Sequence, residues 1–264
     1  MVDSKLALIT GASSGIGFEL ARLFADDGYD LVVAADEPEI TDAAVELTAA
    51  TGVDVRPVQV DLRYPEDVVR LYDTATSGGR ALDAAALNAG TGRAGRFVDD
   101  DLETDLGIVD LNVRSAVQLA KLVLRDMAAR GSGKVLFTSS LVAMMPGSHQ
   151  TIYNASKSFI QSFAEALHDE FRDTGVTVTA LMPGPTDTWF FHRSDMLDTV
   201  LGWMPFKDDP ADVAKQGYDA LMRGDRKVVA SSINSKVMGV AGRVLPDSVK
   251  AVANRLIVAP MGRR

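Results

Sequence analysis

Cysteine is absent from the 264-residue chain, which excludes disulfides, thiolate metal sites and a cysteine nucleophile. Histidine is scarce. His149, His168 and His192 are scattered without metal-ligand spacing, so no metal site is expected, and His168 reads as a surface residue of a helix. No run reaches the ~18 consecutive apolar residues that suggest a membrane span. The opening Met1-Val2-Asp3-Ser4-Lys5 lacks the basic region and cleavage site of a signal peptide. A cytoplasmic protein without a membrane partner is therefore expected. Positive charge is in deficit, with 27 Lys plus Arg against 36 Asp plus Glu and a formal charge of −9. That balance favours solubility and argues against nucleic acid or an anionic membrane surface as the main partner. Internal repeats and low-complexity linkers are also lacking. The length suits one α/β domain with a substantial core, and a single domain over 1–264 is expected.

What is present is a regular alternation. Apolar runs at Lys5–Thr10, Asp30–Ala35, Asp54–Val60, Asp83–Leu87, Lys134–Thr138, Val176–Met182 and Arg226–Ala230 read as seven strands. Helical patterns lie between most of them, at Phe18–Ala25, Ile40–Ala50, Pro65–Ser77, Leu102–Arg130 and Thr151–Thr174, and another spans Pro210–Met222. Strand and helix alternating over short turns predict a doubly wound, mainly parallel sheet with helices on both faces. Ligands of such sheets bind beyond the carboxyl ends of the strands. The first such end is Thr10-Gly11-Ala12-Ser13-Ser14-Gly15-Ile16-Gly17, a glycine loop between strand and helix. Glycines there let the backbone approach a pyrophosphate, and the helix N-terminus holds the anion. The alternative is an ordinary strand-to-helix connection. Asp36 ends the second strand, where a carboxylate accepts hydrogen bonds from the ribose hydroxyls of NAD and repels the 2′-phosphate of NADP. No basic residue adjoins it in sequence, so NAD is the expected cofactor; the alternative is that Asp36 only caps the strand. Asp61-Leu62 and Asn88-Ala89-Gly90 close the third and fourth strands at the same edge, and Ser139-Ser140 closes the fifth.

The helix from Thr151 carries Tyr153-Asn154-Ala155-Ser156-Lys157. Phe159, Ile160, Phe163, Ala166, Leu167 and Phe171 recur at three- and four-residue spacings, as one buried stripe requires. Tyr153 and Lys157 then share one side of the helix, a turn apart. A free phenol ionises near pH ~10, and a fixed cation beside it favours the phenolate. Bringing that value to neutrality takes about 4 kcal/mol, more than one lysine supplies, so a second positive charge such as an oxidised nicotinamide ring would help. A Tyr and a Lys at this spacing are common on helices of no function; the surrounding motifs supply the weight. Asn112, polar between apolar neighbours, is unusual inside a helix and suggests a buried amide at a local kink.

Together the motifs TGASSGIG, NAG, the helical asparagine, the serine pair, Y-x-x-x-K and P-G-x-x-x-T resemble the short-chain dehydrogenase/reductase family, in its single-domain form, from Lys5 to about Ala230. The resemblance implies a Rossmann-type fold and a catalytic set of Asn112, Ser140, Tyr153 and Lys157. Tyr153 would exchange the proton with the carbonyl or alcohol oxygen. Lys157 would lower its pKa and hold the nicotinamide ribose. Ser140, with Ser139 as the neighbouring alternative, would bond the substrate oxygen, and Asn112 would position a water linking Lys157 to solvent. The implied cofactor set is Thr10, Gly11, Ser13, Ser14, Gly15, Ile16, Gly17, Asp36, Asp61, Leu62, Asn88, Ala89, Gly90, Tyr153, Lys157, Pro183, Gly184, Thr186 and Thr188. Leu87 departs from the pattern, standing where many relatives carry a second asparagine.

The segment 188–205 contains Trp189, Phe190, Phe191, His192, Met196, Leu197, Leu201, Trp203 and Met204, and reads as a lid over a largely apolar small-molecule site. Met144 and Met145 line the same pocket or pack on the core. His149 lies near the pocket mouth without an assigned role. The tail, 231–264, reads as a helical extension split at Pro246. The expected activity is interconversion of a secondary alcohol and a ketone with NAD, by a homodimer or homotetramer. Two rivals remain: a nucleotide-binding sensor or scaffold without turnover, and a carrier-bound 3-oxoacyl reductase using NADPH.

Overall fold

Strand residues of this chain alternate between two separate hydrophobic cores, and that alternation places every helix. In the computed structural model, Leu6 and Leu8 of β1 (Leu6–Thr10) belong to one core, while Ala7 and Ile9 belong to the other. Successive side chains of a strand point to opposite faces, so a strand apolar throughout is a strand covered on both sides. The structure describes residues 4–188 and 207–230, with Phe190, Ser194, Thr199, Arg255 and Val258.

The remaining strands are β2 (Asp30–Ala35), β3 (Val55–Gln59), β4 (Ala84–Leu87), β5 (Gly133–Thr138), β6 (Val176–Pro183) and β7 (Lys227–Ala230). They form one sheet in the order β3-β2-β1-β4-β5-β6-β7, and every pairing is parallel. The doubly wound, seven-stranded expectation is met. On one face lie α1 (Gly15–Asp26), α2 (Ile40–Thr51) and α7 (Pro210–Arg223); Leu20, Phe24, Leu47 and Leu221 are their core residues. On the other lie α3 (Pro65–Ala75), α5 (Ser115–Arg130) and α6 (Thr151–Glu170), contributing Leu71, Leu119, Met127 and Ile160. The chain winds outward from β1 to β3, then crosses back to begin β4 on the other side of β1. The carboxyl ends of β1 and β4 therefore flank the switch point, the crevice where such sheets bind ligands.

The long helix expected over Leu102–Arg130 is interrupted. α4 (Leu102–Val109) passes through a π turn at Asp110–Arg114 before α5 begins, closed by a bond from the Ser115 N–H to the Asp110 carbonyl. This is the kink anticipated around Asn112. π turns cluster at functional sites because they re-aim side chains out of the regular helical register.

Two expectations about α6 need correction. Phe159 and Ala166 are exposed, and the buried face of the helix instead carries Tyr153, Asn154, Ser156, Lys157, Ile160, Gln161 and Ala164. Apolar spacing indicated a helix but not which face the site would claim. His168 is half-buried rather than a free surface group, with its Nδ1 2.8 Å from the Val178 carbonyl oxygen. No described helix is long and apolar enough to cross a membrane. Most of the segment 188–205 and of the extension 231–264 lies outside the described residues, and with it Trp189, Phe191, His192, Met196, Leu197, Leu201, Trp203 and Met204.

Candidate active site

The glycine loop is built for close approach. A Cβ on Gly17 would stand 2.0 Å from the Gly11 carbonyl oxygen, so α1 can pack on the loop only with glycine there. Gly15 has φ +59 and lies against Thr188, which brings the loop after β6 to the loop after β1. Ser14, at the N-cap, makes no side-chain bond to the helix. The first N–H groups of α1 thus remain for an anion, and the cradle fits the diphosphate of a dinucleotide.

Asn88 ties the strand ends together. Its Nδ2 donates to the carbonyls of Thr10 and Gly11 at 3.2 and 3.3 Å, and its Oδ1 accepts from Thr138 Oγ1 at 3.0 Å. Thr10 Oγ1 accepts from the N–H groups of Asn88 and Ala89, both at 3.0 Å. One amide therefore spans β1, β4 and β5. Thr186 is buried and bonds the Gly184 carbonyl at 2.9 Å, holding the turn after Pro183.

The nucleoside end is more crowded with charge than the sequence suggested. Asp36 is exposed at the end of β2, and Glu37 beside it accepts from Ser13 Oγ at 3.0 Å. Arg63 clasps Asp61 through Nε and Nη2, at 2.9 and 2.6 Å. The Asp61 bond first, and Asp36 more weakly, raise the pKa of Arg63, whose hydrogen bond in turn lowers that of Asp61. A basic residue thus does face Asp36 in space, although none adjoins it in sequence. Leu62 is buried beneath this cluster.

The four residues expected to be catalytic come together from three elements, the π turn, the end of β5 and α6. Asn112, in the π turn, is almost fully buried. Its Nδ2 donates to the Thr91 carbonyl at 2.8 Å and to Ser156 Oγ at 2.9 Å, and its Oδ1 accepts from the Thr91 N–H at 2.9 Å. Lys157 Nζ donates to the Thr138 carbonyl at 2.9 Å and lies 5.9 Å from the centre of the Tyr153 ring. Gly90 separates the two groups: a Cβ there would be 3.0 Å from Lys157 Nζ and 3.2 Å from Asn112 Oδ1. Ser139 is spent on structure, its Oγ donating to the Lys157 carbonyl at 2.9 Å. Ser140 Oγ accepts from the Val142 N–H at 3.3 Å and stands near enough to the Tyr153 phenol to lower its pKa. Thr91, Gly92, Thr138 and Ser156 complete the site. Sequence reasoning missed them because each acts through its backbone, its size or one short hydroxyl. Gly92 lies flat on the tyrosine, where a Cβ would come within 2.9 Å of Tyr153 Cδ2 and 3.0 Å of Phe190 Cζ.

Burial dominates the electrostatics. It pushes the Tyr153 phenol up to about 12, against a smaller lowering by the Ser140 hydrogen bond. It pushes Lys157 down from 10.5 to about 8. The expected lowering of the phenol by Lys157 is not seen in the protein alone. Tyr153 therefore keeps its proton across the neutral range and stands as a hydrogen-bond donor, beside a cation held at the cost of its hydration.

Residues 5–196 match the family model described as short chain dehydrogenase. An uncharacterized oxidoreductase of Myxococcus xanthus is 32% identical over 85% of this chain and 86% of its own length. Among solved structures, a short-chain dehydrogenase from Sphingobium yanoikuyae in complex with NADPH superposes with TM-score 0.80 at 27% identity, covering 90% of this chain and 92% of its own. A 3-ketoacyl-(acyl-carrier-protein) reductase from Brucella melitensis complexed with NADH gives TM-score 0.72 at 26% identity, over 84% and 92%. The chain belongs to the short-chain dehydrogenase family and is an NAD(P)-dependent oxidoreductase of that family.

Proposed function

We propose that this chain interconverts a secondary alcohol and a ketone on a small molecule, with NAD(H) as the preferred cofactor and Tyr153 as the acid/base. The observation that carries the reading is the buried pair Tyr153 and Lys157, its Nζ 5.9 Å from the ring centre, set at the carboxyl edge of the sheet with Ser140 beside the phenol. Ser140 and Tyr153 together offer two hydroxyl donors to one substrate oxygen. Tyr153 protonates that oxygen as a carbonyl is reduced, and it takes the proton back as an alcohol is oxidised. Lys157 favours the phenolate in the second direction, and Asn112 holds the loop at Thr91 that closes the site. Gly11, Gly15, Gly17, Asn88 and Thr188 would hold the dinucleotide, which when bound supplies the hydride chemistry.

Asp36 and Glu37 at the end of β2 support NAD over NADP, since two carboxylates repel a 2′-phosphate. Arg63 favours the second reading, because a guanidinium released from Asp61 would pair with that phosphate. Calorimetric titration of the full chain with NAD(H) and NADP(H) decides between them. Tyr153→Phe should then cut turnover by about 10³- to 10⁴-fold with cofactor affinity nearly unchanged. Substantial residual activity removes Tyr153 from its role. A sensor or scaffold has no use for a buried lysine that meets no carboxylate among the described residues, which argues against that alternative. A carrier-bound reductase meets an acidic carrier poorly with a net charge of −9. Leu102, Leu106 and Val109 form an exposed apolar stripe on α4 beside Phe97 and Val98, which supports a homo-oligomer. Sedimentation should give at least a dimer.

A further inference from the structure

α6 carries a second polar edge beside the one that presents Tyr153 and Lys157, and proton transfer makes no direct use of it. Asn154 and Ser158 share one side of the helix a turn apart, each one position past Tyr153 and Lys157. Both are spent on one neighbour, the single helical turn Leu141–Met144 that follows Ser140. Asn154 Nδ2 donates to the carbonyls of Val142 and Met145 at 3.4 and 3.3 Å. Ser158 Oγ donates to the Ala143 carbonyl at 2.8 Å and shares that proton with the Asn154 carbonyl at 2.9 Å. Gly147 closes the arrangement from the far side. A Cβ there would stand 2.1 Å from Asn154 Cγ, so the chain leaving the turn passes directly over the amide. Asn154 is almost fully buried, and its Oδ1 has no hydrogen-bond partner among the described residues. A buried amide with its oxygen unpaired is a poor choice for stability alone, since an apolar side chain of similar size fills the space without that penalty.

The turn matters for what it does to Ser140. Ser140 caps it, and the Oγ accepts from the Val142 N–H at 3.3 Å. A serine hydroxyl has one proton to give, and an oxygen that accepts from Val142 directs its own proton away from the turn. Val142 is thus a link, with its N–H on Ser140 and its carbonyl on Asn154. The turn's own backbone bonds, Ala143 N–H to the Ser140 carbonyl and Met145 N–H to the Val142 carbonyl, are both 3.1 Å. A lone turn of helix is marginal on such bonds, so the side chains of α6 fix its place.

We propose that Asn154 and Ser158 are positioning residues that fasten the Leu141–Met144 turn to α6 and so hold the Ser140 hydroxyl toward the oxygen that exchanges its proton with Tyr153. One helix then sets both donors, Tyr153 directly and Ser140 through the turn, and a shift of the helix carries both together. This rests on the oxidoreductase reading above.

The test is a double-mutant cycle on the full chain, with the cofactor chosen by titration and cyclohexanol and 1-phenylethanol as the alcohols oxidised. Asn154→Leu removes the donor and keeps the bulk. It should lower kcat about tenfold, move the alkaline limb of the rate profile to higher pH as Ser140→Ala does, and leave cofactor affinity unchanged. In a Ser140→Ala background the same change should lower kcat by less than about twofold more, because Ser140 is the group through which it acts. Ser158→Ala should lower kcat about threefold with the same non-additivity, and it carries the test if Asn154→Leu does not fold. Full activity in both variants overturns the proposal, as do losses that multiply in the Ser140→Ala background, or a loss expressed only in the KM for the cofactor. If the cofactor binds but neither alcohol is oxidised, the cycle is read from the titration of the Tyr153 phenol in the cofactor complex, as tyrosinate absorbance with the Tyr153→Phe signal subtracted. That titration should move up in Asn154→Leu and no further in the double variant; an unmoved titration overturns the proposal. Absence of cofactor binding overturns the oxidoreductase reading itself and this proposal with it.

Discussion

α6 carries two ionic clusters, one per half, and they are handled oppositely. Near its C-terminal end, Glu165 is met by Lys227 Nζ at 2.7 Å, by Arg226, and by Gln161 Nε2 at 2.6 Å. Burial alone would raise the Glu165 carboxyl, but these hydrogen bonds and charges hold it below its ordinary value. Near the N-terminal end, Lys157 is more deeply buried and has no carboxylate partner among the described residues; a backbone carbonyl is its hydrogen-bond acceptor. The first cluster joins helix to sheet and is electrically satisfied. The second keeps an uncompensated ammonium beside a phenol that burial drives toward its neutral form. A charge that serves only the fold is paired, whereas one that acts on a reacting group must keep its field free.

The contrast can be broken in three ways. Lys157→Met should lower turnover about 10³-fold, the largest effect, while the folded state gains up to about 2 kcal/mol near pH 7. The folded pKa of Lys157, about 8, lies below its ordinary 10.5. Its contribution to stability is therefore fullest above 10.5 and falls as pH drops through about 8, so the gain from Lys157→Met should shrink as pH rises. Denaturant melts at neutral and alkaline pH read this directly, and a large destabilisation at pH 7 would make Lys157 a structural residue. Ser140→Ala should cost about 10- to 100-fold in alcohol oxidation at pH 8. Because the Ser140 bond lowers the Tyr153 pKa, its loss pushes that pKa further up and moves the alkaline limb of the rate profile to higher pH. A profile that falls without shifting would place Ser140 on the substrate alone. Glu165→Ala, the smallest effect, should cost about 1 kcal/mol in stability and leave kcat unchanged. A loss of activity there would mean that the two halves of the helix are coupled.

Local chemistry was enough for much of this molecule. Seven apolar runs separated by helical periods specify a parallel sheet, and the glycines at 11, 15 and 17 specify a backbone held close to α1 and the neighbouring loop. Tyr153 and Lys157 fall on one side of a helix by spacing alone. Asn112 drew notice as a polar residue among apolar neighbours, yet the π turn that aims it at Thr91 and Ser156 was legible only as an irregularity. The resemblance already preferred Ser140 over Ser139, and the fold adds a physical reason, since Ser139 Oγ is consumed by the Lys157 carbonyl.

The sequence by itself determined which elements form, in what order, and which edge of the sheet collects the polar residues. These follow from periodicity, turn sterics and the handedness of parallel crossovers, all of them short-range. Tertiary structure decided the charges. It brought Arg63 toward Asp36, half-buried His168 against Val178, gave Lys157 a backbone carbonyl and no carboxylate among the described residues, and set His149 close to Tyr153. Desolvation and ion pairing depend on residues far apart in the chain, so no reading of spacing reaches them. They exist only once distant segments exclude water together.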